Sequence, residues 1–117
     1  MTINELLNRF ETACLEQYDT YITDDIVKFK STFQILVSIK QELQARGPQA
    51  RRSLLGLLSH ENRQVRLQAA KVVYPVAREE AKKCLQDLAA APFPDDQSLS
   101  AGMCLSRLEE VPDCLDH

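Results

Sequence analysis

Side chains able to do chemistry are few in this sequence, and their spacing favours no catalytic site. Ser59 adjoins His60, but consecutive helical residues point about 100° apart, so the imidazole cannot take the hydroxyl proton. The other histidine, His117, forms with Cys104 and Cys114 a set of three soft ligands, whereas structural zinc takes four. The three glycines are isolated, unlike those of a phosphate-binding loop. The sequence therefore predicts no enzyme, no metal site and no cofactor.

Acidic residues form the first candidate surface. Asp95 and Asp96 precede a segment with helical periodicity, and Glu109 and Glu110 follow it. Negative charge stabilises a helix N-terminus, which explains the first pair. At a helix C-terminus it is mildly unfavourable, by roughly a few tenths of a kcal/mol or more. A charge that costs stability without local benefit indicates a surface facing a partner. We therefore take these four residues as candidate protein-binding residues.

Basic residues form the alternative surface. Residues 26–83 carry twelve Lys or Arg against four acidic residues, whereas 1–25 and 84–117 are acidic overall. Stacked helical repeats would align part of this charge into a stripe able to follow a phosphate backbone. The candidates are Arg51, Arg52, Arg63, Arg66 and Lys71. No aromatic residues are interleaved among them to stack on bases. Neutralisation of the basic by the acidic segments within the fold is the interpretation that we favour.

The elements that must position these residues are helices, because apolar residues recur at three- and four-residue steps. Thr2 with Glu5 forms a capping-box signal for the first helix. The second helix, which Gly47 and Pro48 end, has one apolar stripe and a second apolar flank, so we expect neighbours on both sides. The stripe comprises Phe29, Phe33, Leu36, Val37 and Leu43, and the flank comprises Ile35 and Ile39.

Four shorter helices are predicted to follow. The third covers about residues 48–58, the fifth 78–90 and the sixth 97–109. Asn62 is the expected cap of the fourth helix. Its buried stripe is expected to comprise Val65, Ala69, Val72 and Val73. Residues 112–117 are predicted to form a flexible tail.

The chain also repeats itself. ARRSLLGLL from Ala50 aligns with AKKCLQDLA from Ala81, and VRLQAAKVV aligns with QSLSAGMCL. The small pairs Ala69-Ala70 and Ala101-Gly102 fall in register and are expected to allow close helix packing. A two-helix unit repeated about every thirty residues is typical of a solenoid. We predict an all-α fold, a short right-handed α-solenoid of about six helices in three antiparallel pairs. Residues 1–111 would form one domain, made of a helix pair (1–46) and two repeats (48–76 and 78–110).

Two resemblances accompany this prediction. The segment NRQVRLQAAKVV resembles the core of a HEAT repeat, well over residues 50–74 but less over 81–109, which lack the Val-Arg pair. The whole chain resembles a family of small bacterial HEAT-like proteins known only as a domain of unknown function. That resemblance rests on Asp25-Ile26, Glu42-Leu43 with Arg46, and Ala101-Gly102-Met103. It implies a bacterial source and brings no established activity.

Together these patterns predict a non-catalytic module that binds another protein. A small acidic domain without catalytic groups resembles an immunity or antitoxin-type protein, whose partner would be a toxin. A nucleic-acid-binding repeat is the alternative. The first residues lack the features of an export signal, and no apolar run approaches membrane-spanning length, so we expect a cytoplasmic protein with no membrane contact. Its four cysteines should then stay reduced.

Overall fold

The described part of the chain is α-helical. A computed structural model describes residues 1–92 and 94–116. Within them lie six α-helices and no strand: α1 (Ile3–Thr23), α2 (Ile26–Arg46), α3 (Pro48–Arg52), α4 (Arg63–Val73), α5 (Arg78–Ala89) and α6 (Asp96–Arg107). Two short 3₁₀ helices cover Leu55–Ser59 and Cys114–Asp116. None of the described helices is long and apolar enough to cross a membrane.

Polar side chains fix the helix starts where the sequence predicts them. The Thr2 hydroxyl accepts from the Glu5 N–H at 3.1 Å, and Asp25 Oδ1 accepts from the Lys28 N–H at 3.0 Å. Asn62 Oδ1 accepts from two N–H groups in the first turn of α4, at 2.9 and 3.2 Å. Each bond satisfies a backbone donor that the helix itself cannot pair. The expected N-caps of α1 and α4 are confirmed, and Asp25 caps α2.

The third predicted helix is shorter than expected. Instead of one helix over 48–58, α3 ends at Arg52 and a 3₁₀ helix follows from Leu55. The bonding pattern tightens after Leu54, whose carbonyl accepts from the Leu57 N–H at 2.9 Å across three residues. Leu57 in turn accepts from the His60 N–H at 3.1 Å. This tighter coil buries Leu54 completely while the chain turns toward α4.

Helix α4 occupies the centre of the molecule. It contacts every other described helix, including both 3₁₀ helices. Its predicted stripe of Val65, Ala69, Val72 and Val73 is fully buried, as expected. Ala70 and Ala101 are fully buried as well, which fits the predicted close packing. Gly102 is only half-buried, and a Cβ there would meet no atom within 4 Å, so its small size is not needed for packing.

Helix α2 is not sandwiched as the sequence suggests. Leu36, Ile39 and Leu43 are buried in the core, but Phe33 is 51% exposed and Ile35 43% exposed. The reason is that α2 packs mainly on α1 along one side, with smaller contacts to α3 and α4. Much of the Phe33 and Ile35 side chains therefore stays exposed to solvent.

The segment after α6 turns back onto the core. Cys114 is buried and Leu115 packs against the core cluster. The carboxylate of Asp113 receives two hydrogen bonds from Arg51, at 2.8 and 2.9 Å. The sequence predicts a flexible tail over 112–117 and gives no indication of these contacts of residues 113–115. His117 lies outside the described residues.

Gly47 offers a test of the turn between α2 and α3. Its φ of 97° and ψ of −173° fall in a region that is essentially restricted to glycine, while a Cβ there would meet no atom within 4 Å. We expect Gly47→Ala to lower the free energy of unfolding by about 1–3 kcal/mol through backbone strain alone. Urea denaturation followed by circular dichroism measures this change.

Gly56→Ala is the matched control. Gly56 also has empty space at its Cβ position, but its φ is not positive. This variant should leave the stability unchanged or raise it slightly. Equal losses in the two variants would contradict the role of backbone strain at Gly47.

Candidate functional site

A concave surface lies between α1, α2, α4 and α6. It consists of a cavity of about 230 Å³ and an adjoining depression of about 360 Å³, which share Tyr21, Lys71 and Ser100. We call it the central groove. Its floor comprises Lys40, Gln68, Lys71 and Ser100, and its rim comprises Tyr21, Phe29, Phe33, Leu99 and Met103.

Buried glutamines hold the helices together beneath the floor. The Gln64 amide donates to Gln17 Oε1, and the Gln97 amide donates to Gln64 Oε1 at 3.0 Å. All three side chains are buried, so α1, α4 and α6 are joined by one chain of neutral hydrogen bonds. A satisfied network of this kind favours one relative placement of the helices. The groove therefore has a rigid base.

Two lysines place positive charge in the floor. Lys40 Nζ donates to the Gln68 amide oxygen, and Lys71 Nζ donates to Ser100 Oγ at 3.2 Å. Neither ammonium forms a salt bridge with a carboxylate within residues 1–92 and 94–116. Burial lowers the pKa of both lysines, and with the nearby Lys71 charge it brings the pKa of Lys40 to about 7. The floor thus holds cationic groups that are not compensated by neighbouring acids.

Buried thiols border the two lysines. Burial raises the pKa of Cys14 to about 12, so its neutral form persists at physiological pH. The Sγ atoms of Cys104 and Cys114 are 3.0 Å apart, and this contact together with burial raises the pKa of Cys114. Cys14 and Cys114 as neutral thiols therefore do not neutralise Lys40 or Lys71.

The rim of the groove is aromatic and aliphatic. The rings of Tyr21 and Phe29 meet edge to face with centroids 5.4 Å apart, and Phe29 stacks on Phe33 at 6.2 Å. Across the groove on α6, Leu99 is 62% exposed and Met103 is 67% exposed. Apolar side chains that surround a polar floor are typical of binding sites. The sequence pattern places Phe29 and Phe33 in an apolar stripe and gives no indication of this rim.

The four acidic candidates do not form a single patch. Asp95 caps α6 and pairs with Arg63, with oxygen–nitrogen distances of 2.6 and 3.1 Å. The hydrogen bond from Arg63 lowers the pKa of the Asp95 carboxyl. Asp96 is exposed beside the groove near Tyr21. Glu109 and Glu110 are exposed in the turn that follows α6, about 18 Å from its start for a twelve-residue helix.

Two of the five basic candidates are engaged inside the molecule. Arg51 is buried, donates to the Val72 carbonyl at 2.7 Å and binds Asp113 with both terminal nitrogens. Arg63 binds Asp95 and the Leu88 carbonyl. These contacts neutralise part of the charge separation along the sequence, as the favoured interpretation proposed.

The remaining basic candidates lie apart from one another. Arg52 is exposed and donates to the Val76 carbonyl at 2.9 Å. Arg66 is half-buried, and its Nε has no hydrogen-bond acceptor among the described residues. Lys71 belongs to the floor of the groove. The five candidates therefore form no continuous stripe of unpaired charge.

His60 lies in the turn before α4 and close to α1. Its Nδ1 accepts from the Asn62 N–H at 2.9 Å, and its Nε2 lies 3.7 Å from a Glu11 carboxylate oxygen of α1.

The groove could have been found from the spacing of polar residues. Gln64 and Gln68 are four residues apart on α4, and Lys71 follows three residues later. Residues at these steps share one helix face. Its burial depends on α1 and α6, which the sequence pattern did not place over it.

A larger depression of about 460 Å³ lies near the start of the chain, along α1 and α2. Its Arg46 already pairs with Glu42 at 2.9 Å and donates to the Met1 carbonyl at 2.7 Å. Its other cation, Arg9, contacts the Met1 sulfur at 3.8 Å. With both cations in contact with neighbouring groups, the depression offers less binding chemistry than the central groove. We therefore regard the central groove as the candidate site.

Replacement of Lys40 tests whether the floor is built for stability. Burial of the ammonium costs stability at neutral pH, and loss of the hydrogen bond to Gln68 offsets only part of that cost, so Lys40→Met should raise the free energy of unfolding by about 1 kcal/mol at pH 7. The folded pKa of Lys40, about 7, lies below its ordinary 10.5, so the unfolded chain binds more protons between these values. The stability of the unmodified protein should therefore rise with pH in this window, and the variant should show a smaller rise. Urea titrations of the unmodified protein and the variant at about pH 6, 7, 8 and 9 measure both the stability difference and its pH dependence.

Lys30→Met is the control for this comparison, because Lys30 is exposed on the same helix. Its stability and pH dependence should match those of the unmodified protein. A loss of stability in Lys40→Met would show that the lysine is a structural residue instead.

The Arg51–Asp113 contact generates a second prediction. Partial burial raises the pKa of Asp113, but the hydrogen bonds from Arg51 and the Leu115 N–H outweigh it and leave the pKa below its usual value. The contact therefore stabilises the fold above the ordinary pKa of an aspartate and is lost as pH falls through the folded pKa. Asp113→Asn should cost about 2 kcal/mol at pH 7 and less in acid. Glu109→Gln, at an exposed site, should cost nothing measurable in the same denaturation series.

Comparisons with known proteins give a family and a fold. No curated protein matches the chain. It is similar to the protein in "Crystal Structure of the Protein RPA1889 from Rhodopseudomonas palustris CGA009", with a TM-score of 0.86 and 35% identity over 95% of this chain and 91% of that chain. The model of a family described as "Domain of unknown function (DUF2019)" matches residues 4–109. This agrees with the resemblance found in the sequence to a family without established activity, and the chain belongs to the DUF2019 family.

Proposed function

We propose that this protein is a non-catalytic module that binds another protein through the central groove. The observation that supports this most is the exposed apolar rim around an uncompensated cationic floor. Phe33, Leu99 and Met103 are each more than half exposed on two facing helices. Apolar side chains exposed together on a small protein mark interaction sites, because covering them removes apolar surface from water.

The rim also has the composition of an interface centre. Tyr21 and Phe29 are ordered by mutual ring contact, so little side-chain entropy is lost when a partner covers them. Aromatic residues and Met are enriched in the cores of interfaces, where charged residues are depleted. Asp96, one of the acidic candidates, and Arg107, which the sequence did not single out, lie beside the groove. In this proposal those charges steer the partner and the rim supplies affinity.

The architecture that presents the groove is consistent with a HEAT-like stack. Helix α4 packs against the preceding 3₁₀ helix, and α5 packs against both α4 and α6. We infer that these contacts form two repeats, α3 to α4 and α5 to α6, stacked beside the α1–α2 pair with a right-handed turn. The groove would then be the inner surface of a short solenoid, the surface that such proteins use for binding.

The kind of partner remains the one suggested by the sequence. We propose a cytoplasmic immunity or antitoxin-type role in which the groove covers a functional surface of a toxin. The nucleic-acid alternative is less favoured, because Arg51 and Arg63 are paired with Asp113 and Asp95. A phosphate backbone would have to compete with these internal contacts.

Site-specific photo-crosslinking tests this proposal. A photoreactive phenylalanine analogue at Phe33 or Met103, within cells of the natural source, should capture one defined protein. The same analogue at Gln86, which is exposed on α5, should not capture it. Once that protein is identified, a Phe33→Ala, Met103→Ala variant should bind it at least tenfold more weakly (about 1.4 kcal/mol) by calorimetry.

The acidic surface provides the competing outcome. Charge reversal at Asp96, Glu109 and Glu110 should change mainly the association rate and its salt dependence. If charge reversal abolishes binding while the Phe33 and Met103 substitutions leave it intact, the acidic surface is the interface and the groove is not.

A further inference from the structure

We propose that the floor of the central groove binds one carboxylate of the partner protein, held between Lys40 and Lys71 and flanked by apolar residues on the rim. This inference rests on the proposed function and names the chemistry that the groove recognises. The supporting geometry is a partly enclosed cavity whose cationic side chains converge from α2 and α4.

Charge is the first argument. Lys40 and Lys71 are close enough for the Lys71 charge to lower the pKa of Lys40, yet neither has a carboxylate partner among the described residues. Two like charges in a partly buried site repel each other and lose hydration. An anion placed between them would relieve both costs, and this is the charge complementarity that selects an acidic partner.

Hydrogen-bonding capacity is the second argument. Each lysine ammonium has three donors, and the described contacts use one donor of each, toward Gln68 and Ser100. The remaining donors can be shared with carboxylate oxygens. Ser100 Oγ, which accepts from Lys71, keeps its own hydroxyl proton to donate. The floor therefore has several donors available for one anion.

The type of anion follows from the donors that are absent. Phosphate sites usually use arginine forks, helix N-termini or glycine-rich turns, which surround a doubly charged group. In the described structure the cavity is lined by side chains from within helices, and Lys40 and Lys71 are its cationic members. Burial lowers the pKa of both lysines, so the free floor carries less than two full positive charges at neutral pH. A singly charged carboxylate fits this better than a phosphate.

The apolar rim also restricts which ligand fits the groove. Phe33 stands at one side of the cavity, and Leu99 and Met103 stand beside the adjoining depression. A free carboxylate such as acetate would leave them uncovered. An aspartate or glutamate within an apolar segment satisfies both the floor and the rim.

Small probes can test the floor before the partner is known. We suggest titrating the full ¹⁵N-labelled protein with 4-phenylbutyrate, with the neutral 4-phenylbutyramide and with phenyl phosphate. The carboxylate should shift the amide signals of Gln68, Lys71 and Ser100 and bind at least tenfold more tightly than the amide. Equal binding of acid and amide, or tighter binding of phenyl phosphate, would overturn the proposal.

Substitutions then assign the effect to the lysines. A Lys40→Met, Lys71→Met variant should lose the preference for acid over amide, whereas Lys30→Met should keep it. Phe33→Ala should weaken both probes and leave their ratio unchanged. If the double variant keeps the full preference, the carboxylate is bound elsewhere and the inference fails.

The pH dependence gives a separate readout. Binding of 4-phenylbutyrate needs the ammonium form of Lys40, so its affinity should fall as pH rises through about 7. The other groups that face Lys40 and Lys71 are Cys14, Cys104 and Cys114, with Tyr21, Asp96 and Arg107 nearer the opening. The pKa values of Cys14, Cys114 and Tyr21 are raised, so these three groups stay neutral below about pH 8. If the affinity for 4-phenylbutyrate does not change between about pH 6 and pH 8, the role of Lys40 is contradicted.

The two proposals can fail separately. If the identified partner depends on Phe33 and Met103 but not on Lys40 and Lys71, the groove is a protein-binding surface and the carboxylate inference is wrong. If the probes bind as expected but no partner is captured at Phe33 or Met103, the floor is an anion site and the proposed function is wrong.

Discussion

The burial of α4 on nearly all of its sides is the constraint on which the rest of the structure depends. This helix has eleven residues, and eight of them are buried. A helix enclosed in this way removes its two buried glutamine side chains from water, so both need partners inside the protein. Gln64 meets this requirement through Gln17 and Gln97, and Gln68 meets it through Lys40. The groove floor is therefore a consequence of where α4 lies.

The same burial explains which predictions from the sequence were successful. Local signals suffice for caps, since the Asn62 side chain needs only the backbone of the next residues. Apolar stripes suffice for the core of α4, where Val65 and Val72 are fully buried. These features depend on interactions within a few residues or on hydrophobicity alone.

The candidate site was not predicted, because it depends on contacts between distant parts of the chain. Gln17 and Gln64 are separated by 47 positions, and Arg51 and Asp113 by 62. Nothing in the local pattern around Phe33 shows that α2 has a neighbour on one side only. The charge asymmetry was visible in the sequence, but the identity of the pairs that neutralise it required the fold. A polar residue at a helical step of four from another polar residue has two interpretations, and tertiary packing selects between them.

The glutamine chain between α1, α4 and α6 has a consequence for how the molecule responds to acid. Amides neither gain nor lose protons in the range where carboxylates titrate, so these contacts keep their strength when ion pairs weaken. Asp95 and Asp113 connect the outer segments through charge, and their partners release them once they are protonated. Acidification should therefore loosen the periphery first, while the three central helices stay joined.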